Sequence, residues 1–298
     1  MPAPAHFLTG AELDARRLDL LLHRAAALKE KPHSARTLEG RTVALLFQKP
    51  STRTRTSFEA GIVEMGGHPM VLRANELQLT RGESVRDTAL VLSRHVAVIG
   101  LRTGDEQELA ELAEHATVPV INMLSPHDHP CQALADLLTL REAFGSLEGR
   151  VVAYVGDGNN VARSLAVLGK TAGLEVRVAA PEGYQLDGTD AILTHDPNEA
   201  VDGADVVYTD VWVSMSDDEA GAAARREALQ PYRLDARLLD KAKPDAFALH
   251  CLPAHPGEEI TEDVLYGDRQ RIWDQAENRR HAQKALLELL VSPQPEDG

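Results

Sequence analysis

Cysteine is nearly missing from this chain. Cys131 and Cys251 are the only two in 298 residues, and they form no Cys-x-x-Cys pair. A disulfide framework is therefore not expected, and a reducing cytoplasm is the expected setting. Long apolar runs are missing too. None reaches the roughly 18 residues that a membrane-spanning helix requires. The opening stretch Met1-Pro2-Ala3-Pro4-Ala5-His6 has neither a basic nor an apolar segment, so no secretory leader is expected. Basic residues are in the minority, 31 against 46 acidic, for a formal charge of −15. That balance argues against nonspecific binding to nucleic acid or to an anionic membrane. Any anion site must then be local, built from a few placed arginines and backbone amides. There is no internal repeat and no Gly-x-x-x-x-Gly-Lys phosphate loop.

What is present is alternation. Val43–Phe47, Val96–Leu101 and Val118–Asn122 read as buried parallel strands. A helix follows the first of them over about Ser51–Met65. Phe58, Ile62 and Met65 lie on one face of it, and Gly66-Gly67 stops it. Cys131–Phe144 reads as a long helix with Leu134, Leu137, Leu138 and Phe144 on its stripe. A second series begins at Val151–Val155. It continues through a helix over Asn160–Ala172 and strands at Glu175–Ala179, Val206–Thr209 and Ala246–Leu249. Strand–helix alternation implies α/β architecture with parallel sheets and right-handed crossovers. The break near Gly145–Gly149 predicts two domains, 1–145 and 146–275. The last helix, about Asn278–Val291 within 276–298, is expected to pack back onto the first.

Four short words sit just past apolar runs, where open α/β sheets bind ligands. Ser51-Thr52-Arg53-Thr54-Arg55 packs two arginines and three hydroxyls into a helix start. Ser51 is placed as an N-cap. The first-turn amides, the helix dipole and the forked arginines suit a phosphate. An ordinary capped helix with solvated arginines is the plainer alternative. His129-Pro130-Cys131-Gln132 opens a later helix. Asp210…Ser214-Met215 and His250-Cys251-Leu252-Pro253 follow two strands of the second half. Gly156-Asp157-Gly158-Asn159-Asn160 invites a dinucleotide reading, but Val161 stands where the third glycine belongs. His127, near His129, has no cluster of Glu, Asp or Cys at ligand spacing to support a metal.

The words Ser-Thr-Arg-Thr-Arg and His-Pro-x-Gln, in this order and setting, resemble the aspartate/ornithine carbamoyltransferase family. Asp-x-x-x-Ser-Met with His-Cys-Leu-Pro is similar to its ornithine-using branch. The resemblance runs from residue 51 to 279. It implies two α/β domains with the active site in the cleft between them. The implied reaction is carbamoyl transfer from carbamoyl phosphate to the δ-amine of L-ornithine, a step of arginine biosynthesis, with no metal and no organic cofactor. By resemblance, Ser51, Thr52, Arg53, Thr54, Gln78, Arg102, His129, Gln132, Cys251, Leu252 and Arg279 bind carbamoyl phosphate. Gln78 is lent by a neighbouring subunit of a homotrimer or a multiple of trimers. Asn160, Asp210, Ser214 and Met215 bind ornithine. Arg102, His129 and Cys251 take the catalytic roles. Ser216 departs from the glycine that many relatives carry after Ser-Met.

Other readings share parts of this pattern. A carbamoyltransferase for another amine, such as putrescine or an acylated ornithine, would differ around Asp210 and Ser214. A nucleotide-dependent oxidoreductase would use Gly156–Asn160. A non-catalytic assembly protein on the same fold should have lost site residues. Because only a neutral amine can attack, Asp210 is expected near the α-amino end and Cys251 near the reacting nitrogen.

Overall fold

The structure is a computed structural model describing residues 5–213 and 219–292, with only the backbone described at Thr80, Arg81, Glu219 and Ala220. The chain runs α1 (Ala15–Glu30), β1 (Thr42–Phe47), α2 (Thr52–Glu64), β2 (His68–Arg73), α3 (Val85–Leu92), β3 (Val98–Arg102), α4 (Glu106–His115), β4 (Val120–Leu124) and α5 (Pro130–Phe144). It continues with β5 (Val151–Val155), α6 (Asn160–Thr171), β6 (Glu175–Ala179), β7 (Ile192–Thr194), α7 (Pro197–Val201), β8 (Val206–Thr209), α8 (Glu219–Leu229), α9 (Ala236–Leu239), β9 (Phe247–His250), α10 (Glu262–Leu265) and α11 (Ile272–Val291). Two compact units result. One holds the described residues up to Leu138 together with those from Glu277 on; the other is Thr139–Ala276. Helices α5 and α11 each contribute residues to both.

The first unit carries a parallel sheet in the order β2-β1-β3-β4. Central β1 reads Thr-Val-Ala-Leu-Leu-Phe because helices cover both faces of a parallel sheet, and Val43 through Leu46 are fully buried. The strand order reverses between β1 and β3, which makes a switch point at their C-terminal ends. The Gln48 N–H donates to the Arg102 carbonyl at 3.0 Å, and the Thr103 N–H to the Leu124 carbonyl at 3.0 Å. Ser51 caps α2, its hydroxyl accepting from the Thr54 N–H at 3.3 Å. Phe58, Ile62 and Met65 are fully buried beneath that helix.

Buried Lys284 ties α1, α2 and α11 together. Its Nζ donates to Glu64 Oε2 and the Pro32 carbonyl at 2.6 Å each, and to the Leu28 carbonyl at 3.3 Å. Its stem runs over Gly61, where an added Cβ would come 3.0 Å from Lys284 Cγ. This packing accounts for a glycine inside α2, a placement that by itself costs about 1 kcal/mol relative to alanine.

The second unit carries a parallel sheet in the order β7-β6-β5-β8-β9. Its switch point lies between β5 and β8, so the Gly156–Asn160 turn and Asp210 flank it. Ala153, Val155, Val207, Ala248, Leu239 and Ile272 form part of one core cluster here.

Among element ends, the largest departures from the sequence reading are at β3, β4 and the last helix, while other ends shift by at most one residue. β3 starts at Val98 and includes Arg102, and β4 is Val120–Leu124. The last helix starts at Ile272, not near Asn278, because Gln270 Oε1 accepts the Ile272 N–H at 2.7 Å. Arg279 therefore stands two turns inside α11, fully surrounded, instead of at its opening.

Candidate active site

In the first unit one side chain joins the separate words. Arg279 is buried, and its Nη2 donates to Thr54 Oγ1 at 2.9 Å. Its Nη1 donates to Gln132 Oε1 and lies 3.5 Å from His129 Nε2. An Nη carries two hydrogens, so one nitrogen can serve both partners. The first turn of α2, the start of α5 and the middle of α11 thus meet at one guanidinium. The loop before His129 is held in turn. The Asn122 amide donates to Ser125 Oγ at 2.9 Å, and the Ser125 N–H to the Asp128 carbonyl at 2.9 Å.

The imidazole of His129 is held well below the ordinary value of 6.5. Burial is the largest cause, followed by the positive fields of Arg279, Arg102 and Arg53. A neutral imidazole among three guanidinium groups can hydrogen-bond a carbonyl oxygen without competing for the anion that the arginines attract. This has a consequence for stability. A histidine whose folded-state value is depressed has no effect above the unfolded value of 6.5. Below it, the unfolded chain takes up a proton that the folded chain refuses, so stability falls as pH falls. For His129 the expected slope is about 1.4 kcal/mol per pH unit. Urea unfolding between neutral pH and mildly acidic pH should show this slope, and His129→Asn should flatten it. Equal slopes for the two proteins would refute the assignment. His6 and His281 are also lowered, chiefly by burial, and contribute in the same direction.

Beside this cluster a cavity of about 580 Å³ is lined by Pro50, Ser51, Thr52, Arg55 and, from the end of β2 and the turn after it, Arg73 and Asn75. Arg55 is turned along its own helix to Glu59 at 3.1 Å.

In the second unit the ends of β5, β8 and β9 form a chain of contacts. Buried Tyr154 donates from its hydroxyl to Asn159 Oδ1 at 3.1 Å. Asn159 Nδ2 donates to Asp210 Oδ2 at 2.9 Å, and the Cys251 thiol donates to Asp210 Oδ1 at 2.8 Å. Burial, then the charges of Asp210, Cys251 and Asp157, push the Tyr154 hydroxyl well above 10.0, so it serves only as a donor here. The Cys251 loop is anchored from below. The Leu252 N–H donates to His250 Nδ1 at 2.8 Å, which leaves the ring proton on Nε2 to meet Glu259 Oε1 at 3.1 Å. Burial alone would raise the Glu259 carboxyl, but the hydrogen bonds from His250 and the His255 N–H outweigh it and hold it below the usual range. Leu252 sits at φ 61, the one positive φ of a non-glycine among the described residues. The buried His250–Glu259 pair is what holds that conformation against its steric cost.

The two thiols differ sharply. Burial pushes Cys131 up to about 12, and it is fully enclosed, whereas Cys251 is half-buried. Thiolate-selective alkylation should therefore label one site, Cys251, in the native protein and two after unfolding. Equal native labelling of Cys131 would contradict this placement.

Asp210, His250 and Cys251 bring potential metal-ligand atoms within 4.8 Å of one another. Both His250 nitrogens, however, are engaged by Leu252 and Glu259, so a metal there would have to break a buried hydrogen bond. The dinucleotide alternative is disfavoured as well. Asn159 caps α6 and covers the Val161 and Ala162 amides at 3.0 and 3.2 Å, the donors a pyrophosphate would need. Gly158 is required for a different reason: a Cβ there would lie 2.7 Å from the Tyr184 carbonyl and the Leu186 nitrogen.

The structure thus gathers Thr54, His129, Gln132 and Arg279, with Arg53 and Arg102 close enough to act on His129. It also joins Asp210 to Cys251, where the sequence reading set them at opposite ends of the substrate. Asn160 is the first residue of α6, and its neighbour Asn159 makes the contacts to Asp210. Gln78 is exposed on a short turn, and its side chain takes no part in the Arg279 cluster. Ser214, Met215 and Ser216 lie outside the described residues. Sequence reasoning missed Asn159, although asparagine before an apolar helix is a capping signal, and Glu259, for which no local signal exists.

The profile of the aspartate/ornithine carbamoyltransferase carbamoyl-P binding domain matches residues 5–142, and that of the Asp/Orn binding domain matches residues 148–290. The chain belongs to this family. Among its relatives, the ornithine carbamoyltransferase of Parafrankia sp. (strain EAN1pec) is 50% identical over 304 residues, 96% of each chain. The anabolic ornithine carbamoyltransferase of Pyrococcus furiosus is 52% identical over 275 residues, 88% of this chain and 86% of its own. A solved structure of ornithine carbamoyltransferase from Pyrococcus furiosus superposes with a TM-score of 0.92 at 47% identity, covering 97% of each chain. The family's two-domain, parallel-sheet plan is the one described above.

Proposed function

We propose that the protein is an ornithine carbamoyltransferase, converting carbamoyl phosphate and L-ornithine to L-citrulline and phosphate in arginine biosynthesis. The observation that carries the reading is neutral His129 enclosed by Arg279, Arg102 and Arg53 at the switch point of the first sheet. Such a site attracts a phosphate dianion and offers donors to a carbonyl oxygen. Ser51, Thr52, Arg53, Thr54 and Arg279 hold the phosphate. Thr54, Arg102 and His129 face the carbamoyl oxygen, where negative charge develops as the amine adds. Gln132 reaches the carbamoyl group, its Oε1 accepting from the carbamoyl nitrogen, and Cys251 with the Leu252 carbonyl faces the attacking nitrogen of ornithine.

Ornithine is held by Asn160, Asp210, Ser214 and Met215. Its δ-amine has a solution pKa near that of lysine, about 10.4, and attacks only when neutral. Asp210, in contact with the Cys251 thiol, offers an acceptor for the proton that the amine sheds. The thiol is a contact and not a nucleophile, and catalysis rests on positioning and charge stabilisation. Two cysteines in 298 residues, with no Cys-x-x-Cys pair, fit a cytoplasmic enzyme. A homotrimer in which Gln78 reaches a neighbour's phosphate fits the exposure of that side chain.

Initial rates with a panel of amines at saturating carbamoyl phosphate test the reading. L-ornithine is expected to exceed putrescine and acylated ornithine in kcat/KM by about a hundredfold, the discrimination that buried polar contacts to the α-amino acid give. Comparable rates with putrescine would replace ornithine as the acceptor.

A further inference from the structure

One buried carboxylate near the carbamoyl site has no part in the mechanism above. Asp136 is fully buried on α5, one turn beyond Gln132. Its Oδ1 accepts from Gln132 Nε2 at 2.8 Å. The opposite end of the same amide, Oε1, accepts from Arg279 Nη1. Gln132 is itself buried, so neither end of its amide is averaged by water.

A primary amide has a donor end and an acceptor end of nearly equal size, and a half-turn swaps them. Here the two ends meet groups of opposite kind. A guanidinium only donates, and Asp136 Oδ1 is the acceptor that meets the other end of this amide. In the swapped orientation the Gln132 carbonyl would face Asp136 and its N–H groups would face Arg279. Both observed hydrogen bonds would be lost, and N–H would face guanidinium, inside a buried site where unmade hydrogen bonds are most costly. Gln132 is therefore held with its carbonyl oxygen on the Arg279 side. That oxygen keeps a second lone pair.

We propose that Asp136 is a positioning residue that sets the specificity for a carbamoyl group over other acyl groups. The inference rests on the functional reading above, in which Gln132 meets carbamoyl phosphate. The carbamoyl –NH₂ only donates and needs an acceptor. The methyl of acetyl phosphate has almost the same size and offers no hydrogen. Size alone discriminates poorly between such groups, whereas an oriented acceptor left unpaired by the wrong ligand discriminates strongly. Asp136 keeps that acceptor pointed, without touching the substrate.

The test compares wild type, Asp136→Asn, Asp136→Glu, Gln132→Ala and the Asp136→Asn/Gln132→Ala double variant. The readouts are KM for carbamoyl phosphate, KM for ornithine and the inhibition constant of acetyl phosphate. Asp136→Asn removes one of the two contacts that fix the orientation of Gln132 and leaves only that with Arg279. It should raise KM for carbamoyl phosphate by about tenfold, the worth of one net hydrogen bond, while leaving KM for ornithine and inhibition by acetyl phosphate unchanged. Asp136→Glu keeps acceptor chemistry and should keep the selectivity ratio. In the Gln132→Ala background, Asp136→Asn should add nothing. If Asp136→Asn does not fold, Asp136→Ser in the same comparison gives the same reading. An unchanged carbamoyl-to-acetyl ratio in the Asp136 variants, with Gln132→Ala impaired, overturns the inference and leaves the functional reading standing. A full Asp136→Asn effect in the absence of Gln132 also overturns it. An unimpaired Gln132→Ala removes the Gln132 contact itself, and the inference with it.

Discussion

Arg279→Ala is expected to lower kcat/KM for carbamoyl phosphate by roughly a thousandfold. Its guanidinium holds Thr54 and Gln132 and lies against His129. In the proposed complex it also grips the phosphate; charge-assisted hydrogen bonds are worth about 1.5–3 kcal/mol each, so losing two to the reacting group removes about 4 kcal/mol of transition-state stabilisation, or about three powers of ten. Arg279→Lys should recover little, because an ammonium cannot reach two partners through one planar fork. A second readout moves with the first. Burial still depresses His129 in the alanine variant, but the largest of the three positive fields is gone. The pKa of His129 should then rise toward its ordinary value, and any acid limb in the pH–rate profile should move to higher pH. The lysine variant keeps the field and should keep the limb in place. Near-normal turnover in Arg279→Ala, or an unmoved limb, would contradict this account of the cluster.

The second large effect concerns the amino-acid side. Asp210→Asn is expected to reduce kcat/KM for ornithine by about a hundredfold while leaving KM for carbamoyl phosphate unchanged. Asp210 accepts hydrogen bonds on both carboxylate oxygens, from Asn159 Nδ2 and from the Cys251 thiol. An amide at this position offers one acceptor for those two donors and places its own N–H₂ against one of them. It also removes the negative charge that draws a cationic substrate. Cys251→Ser keeps a donor toward Asp210 and should lose only about tenfold. Steady-state kinetics with both substrates varied separates these outcomes. Equal losses for both substrates would mean that Asp210 supports the fold and not ornithine.

Much of this arrangement could be read from the chain. Val43–Phe47 and Val151–Val155 are continuous apolar runs because parallel strands are covered on both faces, and that pattern leaves few alternatives. Ser51 announced itself as a cap by residue type and position. Where helix α11 begins was not legible. Its first N–H is met by the Gln270 side chain and not by a Ser, Thr, Asp or Asn cap, so no capping signal marks its start and the apolar pattern points six residues later. Arg279 consequently looked like a helix-opening residue when it is a buried interior one. The contact of Asn159 with Asp210 is visible only in the turn geometry, because spacing alone does not separate two adjacent asparagines. Glu259 and Asp136 are legible only in three dimensions. Their partners, His250 and Gln132, belong to short words whose local sequence does not say what stands behind them.

The carbamoyl group passes directly to ornithine, without a covalent enzyme intermediate. Isotopically labelled carbamoyl phosphate and L-ornithine, incubated with the protein and followed by NMR together with intact-protein mass, tests it most directly. Direct transfer yields equal amounts of labelled citrulline and phosphate, with no carbamoyl adduct on the protein at any time during turnover. A carbamoylated Cys251 that forms and decays with the reaction, or carbamoyl phosphate consumed without citrulline, would contradict it.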